Sequence, residues 1–242
     1  MEPAAGMPEA NGAPVQAPVR PRVGSSRIGR EGEPLVTIDG FAPDPDALRA
    51  AAAGARFEPA GQHYPGVRAP LPDDYLRTQL PVIASALGRT LGRCRRIHVV
   101  DASFSIVTTP PAALSIKQRL PHVDAFGAER VALIHYLSPE GGDGTAFFRH
   151  RSTGFDYVDE GRAPAYFHRL EAELRENGPP SPAYISNDTP LFERTALAEA
   201  RYNRALLYRS FLLHSGAISP DAALSPDPAA GRLTVTAFLA IE

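Results

Sequence analysis

"RALLYRSFLLHSG", residues 204–216, decides how the chain is read. Its apolar and aromatic side chains, bounded by Asn203 and Gly216, have the texture of a buried strand. The run closes on His214, and an imidazole ending so apolar a stretch is costly to bury unless another group engages it. Residues 97–109, 130–138, 144–151, 192–202 and 232–241 have the same β-branched or aromatic character. Gly, Pro, Asn and Asp separate them, and Tyr202-Asn203 between two of the runs suggests a hairpin.

Upstream the texture changes. In residues 44–57 Asp44 is a good N-cap and Pro45 a good first helical residue. Residues 73–93 carry leucine and isoleucine at helical spacing across Pro81, and a third helix is expected over about 162–177. "YPGVRAPLP" (64–72) reads as an extended loop, a lid or a substrate edge that its chemistry does not decide between. Residues 1–32 are rich in Pro, Gly and Ala and poor in large apolar side chains, so a disordered tail is expected there. Order is expected to begin near "PLVTIDGF" and to continue as one domain over 33–242. The expected class is mainly β with flanking helices (α+β), an antiparallel barrel or sandwich backed by the N-terminal helices.

Composition narrows the function. With 43% hydrophobic and 21% charged residues the chain has a globular balance, and a net charge of −2 offers nucleic acid no basic field. No stretch approaches the roughly 18 apolar residues of a membrane span. Cys94, the only cysteine, cannot form an internal disulfide, and no secretory signal is visible at Met1–Pro14, so a cytoplasmic setting is expected. A small-molecule or peptide substrate is the expected partner, and the sequence leaves the oligomeric state open.

"RLPHVDAFG" (119–127) places His122 and Asp124 two apart just before a strand. With seven histidines and 27 acidic residues in 242, such a pair is expected roughly once by chance. Extended backbone points residues 122 and 124 to one side, so both can reach one ion, with His214 the best third ligand. Two histidines and one carboxylate form the facial triad of non-haem Fe(II) oxygenases, which leaves coordination positions open. Arg232 then opens a strand with no further charge before Glu242, and an arginine at a barrel mouth is a two-pronged carboxylate clamp.

This order of residues resembles the Fe(II)/2-oxoglutarate-dependent dioxygenases, in particular the prolyl-hydroxylase-like branch and an uncharacterised bacterial group within it. "SIVTTPPAALSIKQRLPHVD", "GGDGTAFFRHRSTG" and "ARYNRALLYRSFLLHSG" carry the resemblance. It implies a double-stranded β-helix, or distorted jelly roll. It further implies Fe(II) held by His122, Asp124 and His214 as the catalytic set, 2-oxoglutarate as co-substrate with its C5 carboxylate on Arg232, and O2 as oxidant. Tyr136 resembles a co-substrate-contacting tyrosine. The interval from His214 to Arg232 is longer than is usual in the family, and 218–231 reads as a loop insertion between strands. The implied reaction is oxidative decarboxylation of 2-oxoglutarate coupled to hydroxylation of an unknown substrate.

Arg149, His150 and Arg151 form a dense polar cluster after two aromatics and are read as lining the substrate mouth. His63, His98, His135 and His168 have no acid at ligand spacing and are taken as structural. Two rivals share the barrel: a cupin-type metalloenzyme, whose usual second histidine "PHVDAFGAE" lacks, and a non-catalytic metal- or sugar-binding module.

Overall fold

The computed structural model describes residues 20–61, 63–92, 94–139, 142–222 and 224–242. In chain order these form β1 (Arg22–Ile28), β2 (Glu33–Asp39), α1 (Pro45–Ala53), β3 (Glu58–Pro59), β4 (Gly66–Ala69), α2 (Tyr75–Thr90), β5 (Ile97–Val107), β6 (Arg130–Tyr136), β7 (Gly142–His150), α3 (Ala163–Asn177), β8 (Phe192–Ala200), β9 (Arg204–Arg209), β10 (His214–Gly216) and β11 (Leu233–Ile241). Two short 3₁₀ turns, Pro111–Ala113 and Ile116–Arg119, lie between β5 and β6. The chain is mostly β. Eight strands form one sheet in the order β1-β2-β9-β6-β11-β5-β4-β3, and β10-β7-β8 form a second. Every strand pair is antiparallel.

Period-two alternation builds the layers. On β6, Val131 and Leu133 join α1 and α2 in one core, while Ala132 and Tyr136 turn to the opposite face. β9 repeats the pattern, with Ala205 and Leu207 on the helix side and Leu206 and Tyr208 on the other. That second face packs against the small sheet through Phe147 and Ala198. Ala146 and Phe148, on the far side of the small sheet, pack with Tyr166 and Leu170 of α3. The layer order is therefore α1/α2, large sheet, small sheet, α3. Among the described residues no helix is long and apolar enough to cross a membrane.

Asp44 caps α1 by accepting from Ala47 N at 2.8 Å, and Pro45 occupies the first turn as its locked φ favours. α2 runs through Pro81 without interruption. The loop expected over 218–231 is present, with no helix or strand among its described residues.

Four expectations are corrected. Residues 1–19 of the expected tail lie outside the described residues, but Arg22–Ile28 is an edge strand in register with Glu33–Asp39. Residues 64–72 are not loop throughout, because Gly66–Ala69 pairs with β5. A Cβ at Gly66 would stand 2.0 Å from the Ile106 carbonyl oxygen, so only glycine allows this approach. Residues 204–216 are two strands: β9 belongs to the large sheet and β10 to the small one, so the chain crosses between sheets at Ser210–Leu213. Tyr202-Asn203 does not close a hairpin, since β8 pairs with β7 and β9 with β2 and β6. Asn203 takes a left-handed φ of 58° at this sheet-to-sheet corner, and its amide grips Ala42, accepting from N at 2.8 Å and donating to O at 2.9 Å.

Candidate metal centre

The crossover at Ser210 sets the centre. Its N–H donates to the Arg130 carbonyl at 2.9 Å, and its own carbonyl accepts from Asp124 N–H at 2.8 Å. Four residues later His214 starts β10, paired with Phe147, and forms an isolated antiparallel bridge with His122. The 122–124 segment is thus tied to both ends of the crossover.

The three side chains converge. One ligand atom from each of His122, Asp124 and His214 lies within 4.8 Å of the others, and no fourth His, Cys, Asp or Glu joins the group among the described residues. His122 Nε2 is 3.6 Å from Asp124 Oδ1, and His214 Nε2 is 3.4 Å from Asp124 Oδ2. The imidazole centroids are 4.4 Å apart. His214 Nδ1 donates to the Leu212 carbonyl at 2.8 Å, which leaves Nε2 with a free lone pair facing the carboxylate. Phe147 and Tyr208 flank the His214 ring.

The charge state favours a cation. Burial holds His214 near pKa 4, against the pull of its Leu212 hydrogen bond. His122 is also lowered to about 4, by desolvation and then by proximity to His214. Its ring is 53% exposed, so solvent moderates the shift there. Both imidazoles are neutral at pH 7, the form that ligates metals. Burial raises the Asp124 carboxyl, opposed by His122 and Arg68. Asp124 Oδ2 is buried with no hydrogen bond, an arrangement that costs stability until a cation or donor arrives. Two neutral imidazoles and one under-solvated carboxylate fit a divalent transition metal of the iron or zinc type.

Arg232 sits immediately before β11, where its Nη2 donates to the Gly144 carbonyl of the small sheet at 2.8 Å. Its Nε is buried without a partner and its Cζ lies 5.6 Å over the Tyr136 ring. The Tyr136 hydroxyl bonds Thr145 Oγ1 at 2.7 Å, and burial raises its pKa despite Arg232. The structure therefore brings Arg232 and Tyr136 together in the gap between the sheets.

Arg149, His150 and Arg151 are not brought to the triad. Arg149 pairs with Asp156 at 3.2 Å and Arg151 with Asp188 at 3.0 Å. His150 is fully buried on the α3 side, its Nε2 2.9 Å from Glu173 Oε2 and its Nδ1 2.9 Å from Thr153 Oγ1. Arg149 and His150 are engaged inside the fold and Arg151 in an exposed pair with Asp188, so only for the buried His150 is the substrate-mouth reading corrected. His135 is structural as expected, fully buried between Tyr75 and Asn203.

Two residues near the site were not singled out from sequence, Tyr64 and Arg68. Arg68 lowers Asp124, its guanidinium lies 4.9 Å over the Tyr64 ring, and burial raises Tyr64 against Arg232 and Arg68. The "YPGVR" stretch held both, but the place of Arg68 opposite Ser105 follows only from the β4–β5 pairing.

Comparison with known proteins adds the following. No curated protein matches the chain. HygX from Streptomyces hygroscopicus, with nickel, 2-oxoglutarate and hygromycin B bound, is similar with a TM-score of 0.47 at 11% identity, over 85% of this chain and 82% of that one. A novel N-substituted L-amino acid dioxygenase from Burkholderia ambifaria AMMD gives a TM-score of 0.44 at 12% identity, over 91% and 96% of the two chains. AviO1 from Streptomyces viridochromogenes Tue57 gives 0.40 at 11% identity, over 89% and 90%. A family model described as "Family of unknown function (DUF6445)" matches residues 19–239, and the chain belongs to that family.

Proposed function

We propose that the chain is an Fe(II)- and 2-oxoglutarate-dependent oxygenase, acting on a small-molecule or peptide substrate, with its two facing sheets forming a double-stranded β-helix. One observation carries this reading: His122, Asp124 and His214 converge within 4.8 Å around a buried carboxylate oxygen that has no hydrogen bond. Three protein ligands would hold a divalent ion and leave coordination positions for co-substrate and dioxygen. The second support is Arg232, whose buried and unpartnered Nε offers a donor to a carboxylate beside the Tyr136 ring.

In this reading His122 Nε2, His214 Nε2 and an Asp124 oxygen hold the ion. Leu212 fixes the His214 tautomer and Ser210 fixes the Asp124 backbone. Arg232, anchored by Gly144, binds the C5 carboxylate of 2-oxoglutarate, with the Tyr136 ring beside it. The apolar flank of Phe147 and Tyr208 limits water around His214. Bound there, Fe(II), 2-oxoglutarate and O2 supply oxidative decarboxylation to succinate and CO2, coupled to hydroxylation of a substrate C–H bond.

The test is spectroscopic and chemical. Anaerobic protein with Fe(II) and 2-oxoglutarate is expected to develop a weak visible charge-transfer band and, once air is admitted, to form succinate without added substrate. Absence of both signals in the wild type sinks the oxygenase reading. Replacing Arg232 by Gln is expected to weaken 2-oxoglutarate binding roughly 10- to 100-fold, the worth of a charge-assisted hydrogen bond. Unchanged affinity removes only the clamp assignment.

A further inference from the structure

We infer that Arg68, with the hydroxyl of Tyr64, binds a carboxylate carried by the substrate, next to the metal triad. This rests on the function proposed above and assigns a chemical class to the substrate of that site.

Sheet register places the two residues. Arg68 pairs with Ser105, Ser105 with Thr234, and Thr234 with Tyr136, so four adjacent strands contribute one row of side chains. Tyr136 belongs to the cluster between the two sheets, and the whole row shares that inner face. The row continues to Glu58 on β3 beyond Arg68 and to Arg204 on β9 beyond Tyr136, so Arg68 and Tyr136 share one inner face with β5 and β11 between them.

Neither group is satisfied inside the protein. Arg68 Nε is buried without a partner. The carboxylate paired with Arg68 is Asp101, whose Oδ2 is 3.7 Å from Nη1, beyond hydrogen-bond reach and 57% exposed, so the pair contributes little. The Tyr64 hydroxyl lies beside Thr234 and Ser105 but makes no hydrogen bond of acceptable geometry. Of eight buried side-chain polar atoms without a partner among the described residues, four belong to Tyr64, Arg68, Asp124 and Arg232. Buried polar groups left open are costly, and here they are linked: the Arg68 charge acts on Asp124, and its guanidinium covers the Tyr64 ring.

Charge counting separates two ligands. A divalent ion with Asp124 leaves one positive charge, and Arg232 and Arg68 raise it to three. A dicarboxylate co-substrate removes two. The charge left over resides on Arg68, where a monoanionic substrate neutralises it. The open Nε edge of a guanidinium matches the two coplanar oxygens of a carboxylate, and a phenol adds one further donor. The arginine also rests over the Tyr64 ring, which holds its plane and lowers the entropy cost of binding.

The experiment is a binding measurement that needs no turnover. Fluorine NMR line broadening of fluoroacetate, fluorobenzoate and fluorophenylacetate, each with its matched primary amide, is recorded with protein carrying Zn(II) and 2-oxoglutarate. The acids are expected to broaden and the amides to stay sharp. Arg68→Gln is expected to weaken carboxylate binding at least tenfold while changing 2-oxoglutarate affinity less than threefold. Arg68→Lys, which keeps the charge but loses the fork, is expected to fall between. Equal broadening of acids and amides, or carboxylate binding unchanged in Arg68→Gln, overturns the inference. So does a loss of 2-oxoglutarate affinity in Arg68→Gln as large as that in Arg232→Gln. If the wild type fails to bind 2-oxoglutarate, the co-substrate reading falls instead, and the same comparison with Zn(II) alone still judges Arg68.

Discussion

His122 and His214 exchange both backbone hydrogen bonds, N–H to carbonyl in each direction at 2.9 and 3.0 Å, in an antiparallel bridge one residue long. The bridge sets the two candidate ligand side chains next to each other through main-chain contacts. Asp124 is held in the same way, through its N–H on Ser210. The triad is thus preorganised by the crossover between sheets, and its cost is concentrated in one buried carboxylate oxygen.

That cost yields a first prediction. Asp124→Asn keeps the shape and removes the charge. Divalent metal affinity is expected to drop about 100-fold or more, at least as much as losing an outer-shell partner costs. The metal-free variant is expected to melt at the same or a higher temperature than metal-free wild type, because an unpaired carboxylate is no longer desolvated. Titration calorimetry with Zn(II) and melting curves with and without metal check both halves. Wild-type metal affinity in the variant excludes Asp124 as a ligand.

Buried neutral histidines give a pH dependence independent of metal. His135 Nε2 donates to Asn203 Oδ1 at 3.0 Å, an assignment fixed because the same oxygen accepts from Ala42 N–H. Its Nδ1 then accepts from the Tyr75 hydroxyl at 2.6 Å. Burial lowers its pKa from 6.5 to about 4, with the Asn203 bond opposing. Between those values the unfolded chain takes up a proton that the native state refuses. This stability is complete above pH 6.5 and is lost as pH falls toward 4, by roughly 3 kcal/mol for the one residue. His214 and His122 shift in the same direction and add to the slope in the metal-free protein. Urea midpoints measured from pH 7.5 to 5 are expected to fall steadily, and His135→Gln to flatten the slope by up to one proton. An unchanged slope removes His135 as its source.

The polar run "FFRHR" supplies a prediction that separates structure from function. His150 links β7 to α3 through Glu173, which Arg169 also engages at 3.1 Å, and its ring is edged by Tyr166. His150→Ala leaves a cavity and removes one partner of a buried carboxylate, at an expected cost of about 2–4 kcal/mol. Metal and 2-oxoglutarate affinities measured below the new melting temperature are expected to stay within twofold. A selective loss of either affinity reinstates His150 as a site residue.

The strands were legible where β-branched and aromatic residues mark both faces, as in β5, β6 and β11, and α1 was legible through Asp44 and Pro45. The triad was readable as a hypothesis because His122 and Asp124 adjoin and His214 ends an apolar run. What stayed hidden depended on pairing across the chain. Arg68 takes its place on the inner face only because Gly66 allows β4 to lie against β5. His150 follows Ala146 and Phe148 on the α3 face of β7, but nothing in "FFRHR" marks it for a buried pair with Glu173, a partner that only the docking of α3 supplies. "RALLYRSFLLHSG" looked like one strand because nothing in its apolar run marks Ser210 as the residue whose N–H still bonds Arg130 of β6 while its C=O turns to Asp124.

β1 was hidden by averaging. "RVGSSRI" is mostly polar and exposed, as an edge strand allows, and it lies in a Pro/Gly/Ala-rich segment. Its contribution is nonetheless specific. Ile28 enters the core between the sheets, and Gly29 and Gly32 take left-handed φ values of 68° and 72° in the turn to β2. Glu31 N–H donates to the buried Asp156 Oδ2 at 2.7 Å, while Glu31 pairs with Arg162 at 2.7 Å. A chain starting at residue 33 loses the seven-residue register with β2, uncovers Leu35 and leaves one Asp156 oxygen without its donor. Orphaning that acceptor alone costs about 1–3 kcal/mol, and the bared β2 edge is a template for association. Compared with residues 20–242, the 33–242 chain is expected to melt several degrees lower, by the size scaling of a ~200-residue fold, and to aggregate at lower concentration. Equal melting temperatures and equal solubility for the two chains show that β1 is dispensable and that the fold's boundary lies at residue 33.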